Sequence, residues 1–446
     1  MIQSKLKSII SLWVVSMLLT ATGVGARTIE LQVNLGTPVM EAGKIQKTFL
    51  KVGLRGFDLP VESDRASVNL AIVLDRSGSM AGEKLARAKE AAIMAIGLLN
   101  SRDIVSMVTY DSVVNVVVPA TRVTDKQSIY SAIRNIRDGG RTALFAGVSK
   151  GAAEVRKFLD KTRVNRVILL SDGLANIGPS TPSELGQLGA SLGKEGISVT
   201  TIGLGLGYNE DLMTQLAGMS DGHHAFVQNS ADLSRIFAAE FNTALTVVAN
   251  QLTIIIKCAN TIRPIRVLGR SAQIIGQNVH VNLNQLSSNQ EKFVILEVEI
   301  PAGVAGETWD LASVDVSYLD LRAKVTDSLH GSVSVNFSKK REDVVKSVNQ
   351  PVMDSAAEQV LNQVSKEAVV LRDAGKLEAA KDYLRRNIDS LKKSMSSSGA
   401  ASSPRFEALA EEVYQDADEL GDNKKWNEKR KSMRQRQFKY DHQQKY

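Results

Sequence analysis

Asp75, Ser77 and Ser79 alternate immediately after five apolar residues, Leu70 to Leu74. Such a run reads as a strand buried on both faces and ending at the carboxyl edge of a parallel sheet. The Gly-containing turn from Asp75 to Met80 can aim one carboxylate and two hydroxyls at a single point. Two further segments end in the same chemistry. Gly139-Gly140-Arg141-Thr142 places a hydroxyl between a glycine pair and a helical pattern, and Val167 to Ser171 runs into Asp172 and Gly173. Any one of these could be ordinary turn and helix-cap chemistry. Three of them, oxygen-only, at strand ends where open α/β sheets bind ligands, suit a hard divalent cation.

Together the three segments resemble the metal-ion-dependent adhesion site of the von Willebrand factor A (VWA) domain, over roughly residues 66 to 246. The resemblance implies that Asp75, Ser77, Ser79 and Thr142 surround one cation and that Asp172 acts on it directly or through water. Arg141, between the glycine pair and Thr142, departs from the motif in a loop whose spacing varies across the family. Similarity is greatest to bacterial secreted members of the chloride-channel-like group, which share Asp75 to Met80 and a segment like Gly203 to Tyr208; no stretch of this chain reads as a pore. The small, hydroxyl-rich donor set favours Mg2+, with Mn2+ or Ca2+ as alternatives. Two carboxylates among neutral hydroxyls leave such an ion electron-poor, so a partner protein presenting Asp or Glu can complete its coordination.

The elements that must hold these residues follow from periodicity. Strands are expected near 68–75, 103–109, 113–119, 164–171, 197–203 and 223–227, separated mostly by helical patterns. That alternation implies crossover connections and a doubly wound, mainly parallel α/β sheet. The pair 103–109 and 113–119 is too close for a crossover and should form an antiparallel edge. Segments 29–35 and 49–53 alternate apolar with polar residues, as do six segments between 252 and 337. The expected organisation is therefore a VWA domain, 66–248, inserted in a β-sandwich split between 27–60 and 249–340. A helical segment, 351–420, follows; within it Gly375 to Ala380 looks like one tetratricopeptide-type turn, too little for a repeat array.

Residues 1–26 run from basic Lys5 and Lys7 through an apolar core to Val24-Gly25-Ala26, as in a cleaved secretory signal. That pattern places the mature protein in the periplasm or outside the cell. In a chain of 446 residues, 43% hydrophobic and 23% charged content excludes a disordered protein. A single cysteine, Cys258, excludes an internal disulfide. Residues 424–446 carry nine basic and two acidic residues and so hold the whole formal charge of +7. This stretch reads as a disordered tail, able to meet an anionic membrane surface or a cell-wall polyanion; the neutral body and exported address argue against nucleic acid.

The expected function is metal-dependent, non-enzymatic protein binding. One alternative is an envelope-assembly scaffold whose metal only stabilises the fold. Another is a phosphotransferase of the haloacid-dehalogenase type. The latter needs a second carboxylate two residues beyond Asp75, where Ser77 stands, so no group remains to activate water. His223 and His224 are adjacent, face opposite sides of a strand and cannot share an ion. No Gly-x-Ser-x-Gly elbow occurs, and Gly203 to Gly207 lacks the lysine of a phosphate loop.

Overall fold

The computed structural model describes residues 28–58, 65–397, 400 and 403–444. The expected signal segment, 1–26, lies outside them. The chain opens with β1 (Ile29–Leu35), β2 (Val39–Glu41) and β3 (Gln46–Gly56). Strand and helix then alternate through β4 (Val68–Asp75), α1 (Glu83–Gly97), β5 (Ile104–Tyr110), β6 (Val114–Arg122), α2 (Lys126–Arg134) and α3 (Leu144–Arg156). They continue through β7 (Val164–Ser171), α4 (Pro182–Lys194), β8 (Ile197–Leu204), α5 (Glu210–Met219), β9 (His224–Val227) and α6 (Leu233–Leu245). Strands follow in succession: β10 (Val247–Cys258), β11 (Arg263–Leu268), β12 (Gln273–Ile275), β13 (Asn278–Ser287), β14 (Glu291–Ile300), β15 (Thr308–Asp320) and β16 (Val325–Ser338). The chain closes with α7 (Arg341–Ser347), α8 (Gln350–Asp373), α9 (Leu377–Ser397), α10 (Pro404–Glu419) and α11 (Trp426–His442).

The α/β domain is one sheet in the order β6-β5-β4-β7-β8-β9. All neighbours run parallel except the β5–β6 hairpin. β4 and β7 are buried at every residue because helices cover both faces. Leu70, Ile72 and Leu74 face α1 and α6, while Ala71 and Val73 face α3. The approach of α3 is close enough that a methyl group on Gly151 would stand 2.4 Å from Val73. This rigid centre fixes where the carboxyl ends of β4 and β7 lie.

Two further sheets, β1-β3-β14-β11 and β12-β13-β10-β15-β16-β2, pack face to face around a shared apolar core. Their pairings are antiparallel apart from a short parallel contact between β2 and β16. β3 pairs with β14 from Gln46↔Ile300 to Arg55↔Glu291, across the entire α/β domain in sequence. The doubly wound domain is thus inserted in a sandwich whose first strands precede it. α8 lies against the β3–β14 sheet through Ala356, Phe49 and Ile295, and also packs with α9, α10 and α11.

One expectation is overturned. The described part of the expected disordered tail, 424–444, is ordered: 426–442 form α11, with Lys431, Met433, Gln437 and Phe438 buried. Its cations turn inward onto acids. Arg430 meets Glu210, Asp211 and Asp373, Lys431 meets Glu210 at 2.6 Å, and Arg434 meets Asp211 at 2.9 Å. Lys429 and Arg436 both reach Asp416. The positive excess of this stretch compensates acids elsewhere in the fold, so it is not a free basic surface.

Candidate metal centre

β4 ends in Asp75, which is wholly buried, and the chain turns at once. The backbone N–H of Ser77 donates to Asp75 Oδ1 at 2.9 Å, an Asx-type turn that lifts Ser77 and Ser79 to the sheet edge. The Ser171 hydroxyl, from the end of β7, donates to Asp75 Oδ2 at 2.6 Å. Burial raises the proton affinity of Asp75, and these hydrogen bonds oppose that rise.

The second loop is zipped onto the first. Gly139 N–H donates to Arg76 O at 2.8 Å and Gly78 N–H to Gly140 O at 3.2 Å. Gly140 has φ +78°, and a Cβ there would stand 2.9 Å from the Asp111 carboxyl carbon, so both its conformation and its space require glycine. Asp111 itself pairs with Arg76 at 2.7 Å. Thr142 is 4% exposed and is pinned through its backbone: its N–H donates to Asn176 Oδ1 at 2.9 Å, and Asn176 N–H returns to Thr142 O at 3.1 Å.

The third loop supplies Asp172, whose side chain is buried. Ser79 donates to its Oδ1 at 2.6 Å, and the Lys84 ammonium, from the first turn of α1, sits on its Oδ2. The Ser77 and Ser79 hydroxyls are 3.1 Å apart. A methyl group on Gly173 would stand 3.3 Å from Ser79 Oγ and 3.4 Å from Thr142 Oγ1, so both hydroxyls border one space.

The five residues expected from sequence thus come together from three loops. Their oxygens fit a small divalent cation: a regular octahedron with ~2.1 Å metal–oxygen bonds has edges of ~3 Å, the separation seen between the two serine hydroxyls. No cluster of three or more His, Cys, Asp or Glu occurs among the described residues, which leaves a hydroxyl-rich donor set. Sequence reasoning did not single out Ser171, Asn176 or Lys84 for a role here. Lys84 carried a signal, a cation five residues after Ser79 in a helix start where acids are favoured.

His223 and His224 do face opposite sides. His223 Nδ1 meets Glu240 at 3.1 Å beneath α6, whereas His224 Nδ1 meets Thr201 at 2.9 Å and its ring lies edge-on to Phe438 of α11. Neither approaches the centre.

The family model for the von Willebrand factor type A domain matches residues 69–239. This segment is a von Willebrand factor type A domain. The chain is 27% identical over 209 residues to the uncharacterized protein YfbK of Escherichia coli (strain K12), covering 46% of this chain and 36% of YfbK. It is 25% identical over 275 residues to the uncharacterized protein sll0103 of Synechocystis sp., covering 59% of this chain and 64% of that protein. The matches therefore span less than two thirds of either relative's length. Among solved structures, a von Willebrand factor type A protein from Catenulispora acidiphila superposes with TM-score 0.69 at 16% identity, over 87% of this chain and 90% of that one. The likeness extends the shared fold well beyond the VWA segment. VWA domains bind a divalent metal and serve protein interaction of an adhesive kind.

Proposed function

We propose that this protein captures a partner protein through a divalent cation held by Ser77, Ser79 and Thr142 with Asp75 and Asp172, a partner Asp or Glu completing the coordination. Mg2+ is the proposed ion, and the exported location expected from residues 1–26 is part of the proposal. No helix among the described residues is long and apolar enough to cross a membrane. The observation that carries the reading is the convergence of three hydroxyls and two carboxylates from three loops at one sheet edge. When bound, the cation supplies an electrophilic point that attracts an anionic oxygen. The residues do the rest: Ser171 and the Ser77 N–H hold Asp75, Asn176 holds Thr142, and Ser79 donates its O–H to Asp172, leaving its lone pairs to face outward.

The same geometry supports a binding role over catalysis. Both carboxylates are already engaged by hydroxyls, a backbone N–H and an ammonium, so none is placed to take a proton from water. A membrane or polyanion role for 424–446 draws no support from α11, whose cations are largely engaged within the fold.

The test is Mn2+ and Mg2+ titration calorimetry of the protein and of Asp75→Ala, followed by capture from envelope extract with and without chelator. Capture that disappears with chelator and with Asp75→Ala supports the proposal. Asp75→Ala binding metal like the parent, or capture indifferent to chelator, overturns it; metal binding that stabilises the protein without any chelator-sensitive capture favours the scaffold alternative.

A further inference from the structure

Lys84 is at odds with its position. It lies in the first turn of α1, where the helix dipole favours acids, as its neighbour Glu83 illustrates. The ammonium nevertheless folds back over that helix end, donating to Ser79 O at 3.3 Å and sitting on Asp172 Oδ2. Asp172 is the fully buried member of this pair, while the Lys84 side chain is 40% exposed and free to swing toward solvent.

We propose that Lys84 is a tethered counter-cation of the metal centre, neutralising Asp172, holding that carboxylate against Ser79 and lowering the centre's affinity for a divalent ion. The inference rests on the metal-dependent reading above and deepens it. Asp75 and Asp172 alone would bring a divalent ion to formal neutrality. With the Lys84 ammonium in place the centre keeps one net negative charge, the bound ion leaves one net positive charge, and a single partner carboxylate restores neutrality. Lys84 thus trades metal affinity for appetite toward an anionic ligand. It also keeps Asp172 charge-paired when no metal is bound, as a buried carboxylate requires.

Lys84→Gln keeps a hydrogen-bond donor but removes the charge, and Lys84→Arg keeps the charge. By calorimetry with Mn2+ alone, Lys84→Gln should bind roughly tenfold or more tightly than the parent, because the like charge that sits on Asp172 has been removed. Lys84→Arg should stay within about threefold of the parent. In chelator, Lys84→Gln should melt below the parent, and saturating Mn2+ should raise its melting temperature by more than it raises the parent's. Acetate, as a carboxylate probe, should tighten Mn2+ binding more in the parent than in Lys84→Gln. Equal or weaker Mn2+ binding by Lys84→Gln overturns this inference and leaves the adhesion reading standing, provided the parent binds Mn2+. If neither parent nor Lys84→Gln binds Mn2+, the adhesion reading itself fails. The chelator melts keep the comparison interpretable, since they show directly whether the variant is folded.

Discussion

Ser171 reaches the centre through Asp75, and its hydroxyl is one of the groups that hold that buried carboxylate. Ser171→Ala removes a hydrogen bond to a charged acceptor and should cost about 2 kcal/mol of stability in chelator. It should also weaken Mn2+ binding several-fold, because a carboxylate that has lost a donor is less well oriented; denaturant melts and calorimetry on the same variant check both, and unchanged metal affinity would restrict Ser171 to the core. Thr142→Ala removes a neutral oxygen whose backbone is fixed independently by Asn176, so it should weaken Mn2+ binding while costing the chelator state less stability than Ser171→Ala does. Asp75, Ser77, Ser79, Thr142 and Asp172 were legible in the sequence because each stands where an apolar run or a glycine pair gives way to a helix. Ser171 and Asn176 were not, because their roles are contacts between loops distant in sequence. Lys84 carried a signal in its place at a helix start, but its partner did not show, because its side chain reaches Asp172 in the loop after β7.

Among the elements, the βα alternation announced the VWA sheet almost strand for strand, since buried parallel strands are unbroken apolar runs. α11 was hidden for the opposite reason. It buries Lys431 and Gln437 beside Met433 and Phe438, and its contacts are ion pairs with α5, α8 and α10 rather than an apolar stripe. The short strands β2 and β12 and the seven-residue α7 offered too few residues for any period to show. The seam of α11 with the VWA domain carries two histidines, His224 buried and His442 partly buried. His442 stacks on Phe438 with centroids 4.2 Å apart, and Phe438 meets His224 edge-on. Burial pulls both imidazoles down to about 3, helped by Lys431 and Lys439 around His224 and by Arg270 and Lys292 around His442, whereas Asp221 favours the protonated form of His442. Their folded affinity for protons is below the unfolded value of about 6.5. Their neutral burial therefore stabilises fully above pH 6.5, and the contribution is lost as pH falls toward 3, by up to about 1.4 kcal/mol per histidine per pH unit. Melting temperature should thus fall more steeply between pH 6.5 and 5 in the parent than in a His224→Gln/His442→Gln variant. Identical pH profiles would show that the seam does not sense acid.

At the scale of the molecule, the three parts are riveted together. Asp221, at the turn between α5 and β9, accepts from Arg270 at 2.9 Å and from Lys292 at 2.8 Å, both in the sandwich. Arg270 also donates to His442 O at the end of α11. Burial alone would raise the Asp221 carboxyl, but Lys292 and Arg270 hold it well below the usual range. Beneath the sheet, Val247 and Leu321 belong to the core of the VWA domain, so sandwich and insert share packing there. The split of the sandwich was legible because orphan alternating strands at 29–35 and 49–53 had no partners nearby in sequence; how firmly it grips its insert was not, because buried charges such as Asp221 and Lys292 carry no periodic signal. Deleting residues 28–58 tests this unity. It removes β3, which stands between β1 and β14, and so exposes the whole length of β14 as an unpaired edge and opens the core at Leu50, Val52 and Leu54. It also takes away Phe49, which packs against both the helical bundle and the α8 seat. Hydrogen exchange should then show protection lost in 249–338 and weakened across 350–444, with α11 released from α5. The VWA sheet should keep protection in β4 and β7, whose neighbours are all within the insert. Undiminished protection of β14 in the deletion would mean that the downstream strands fold without their distant partners, and the split-sandwich account of this chain would have to be abandoned.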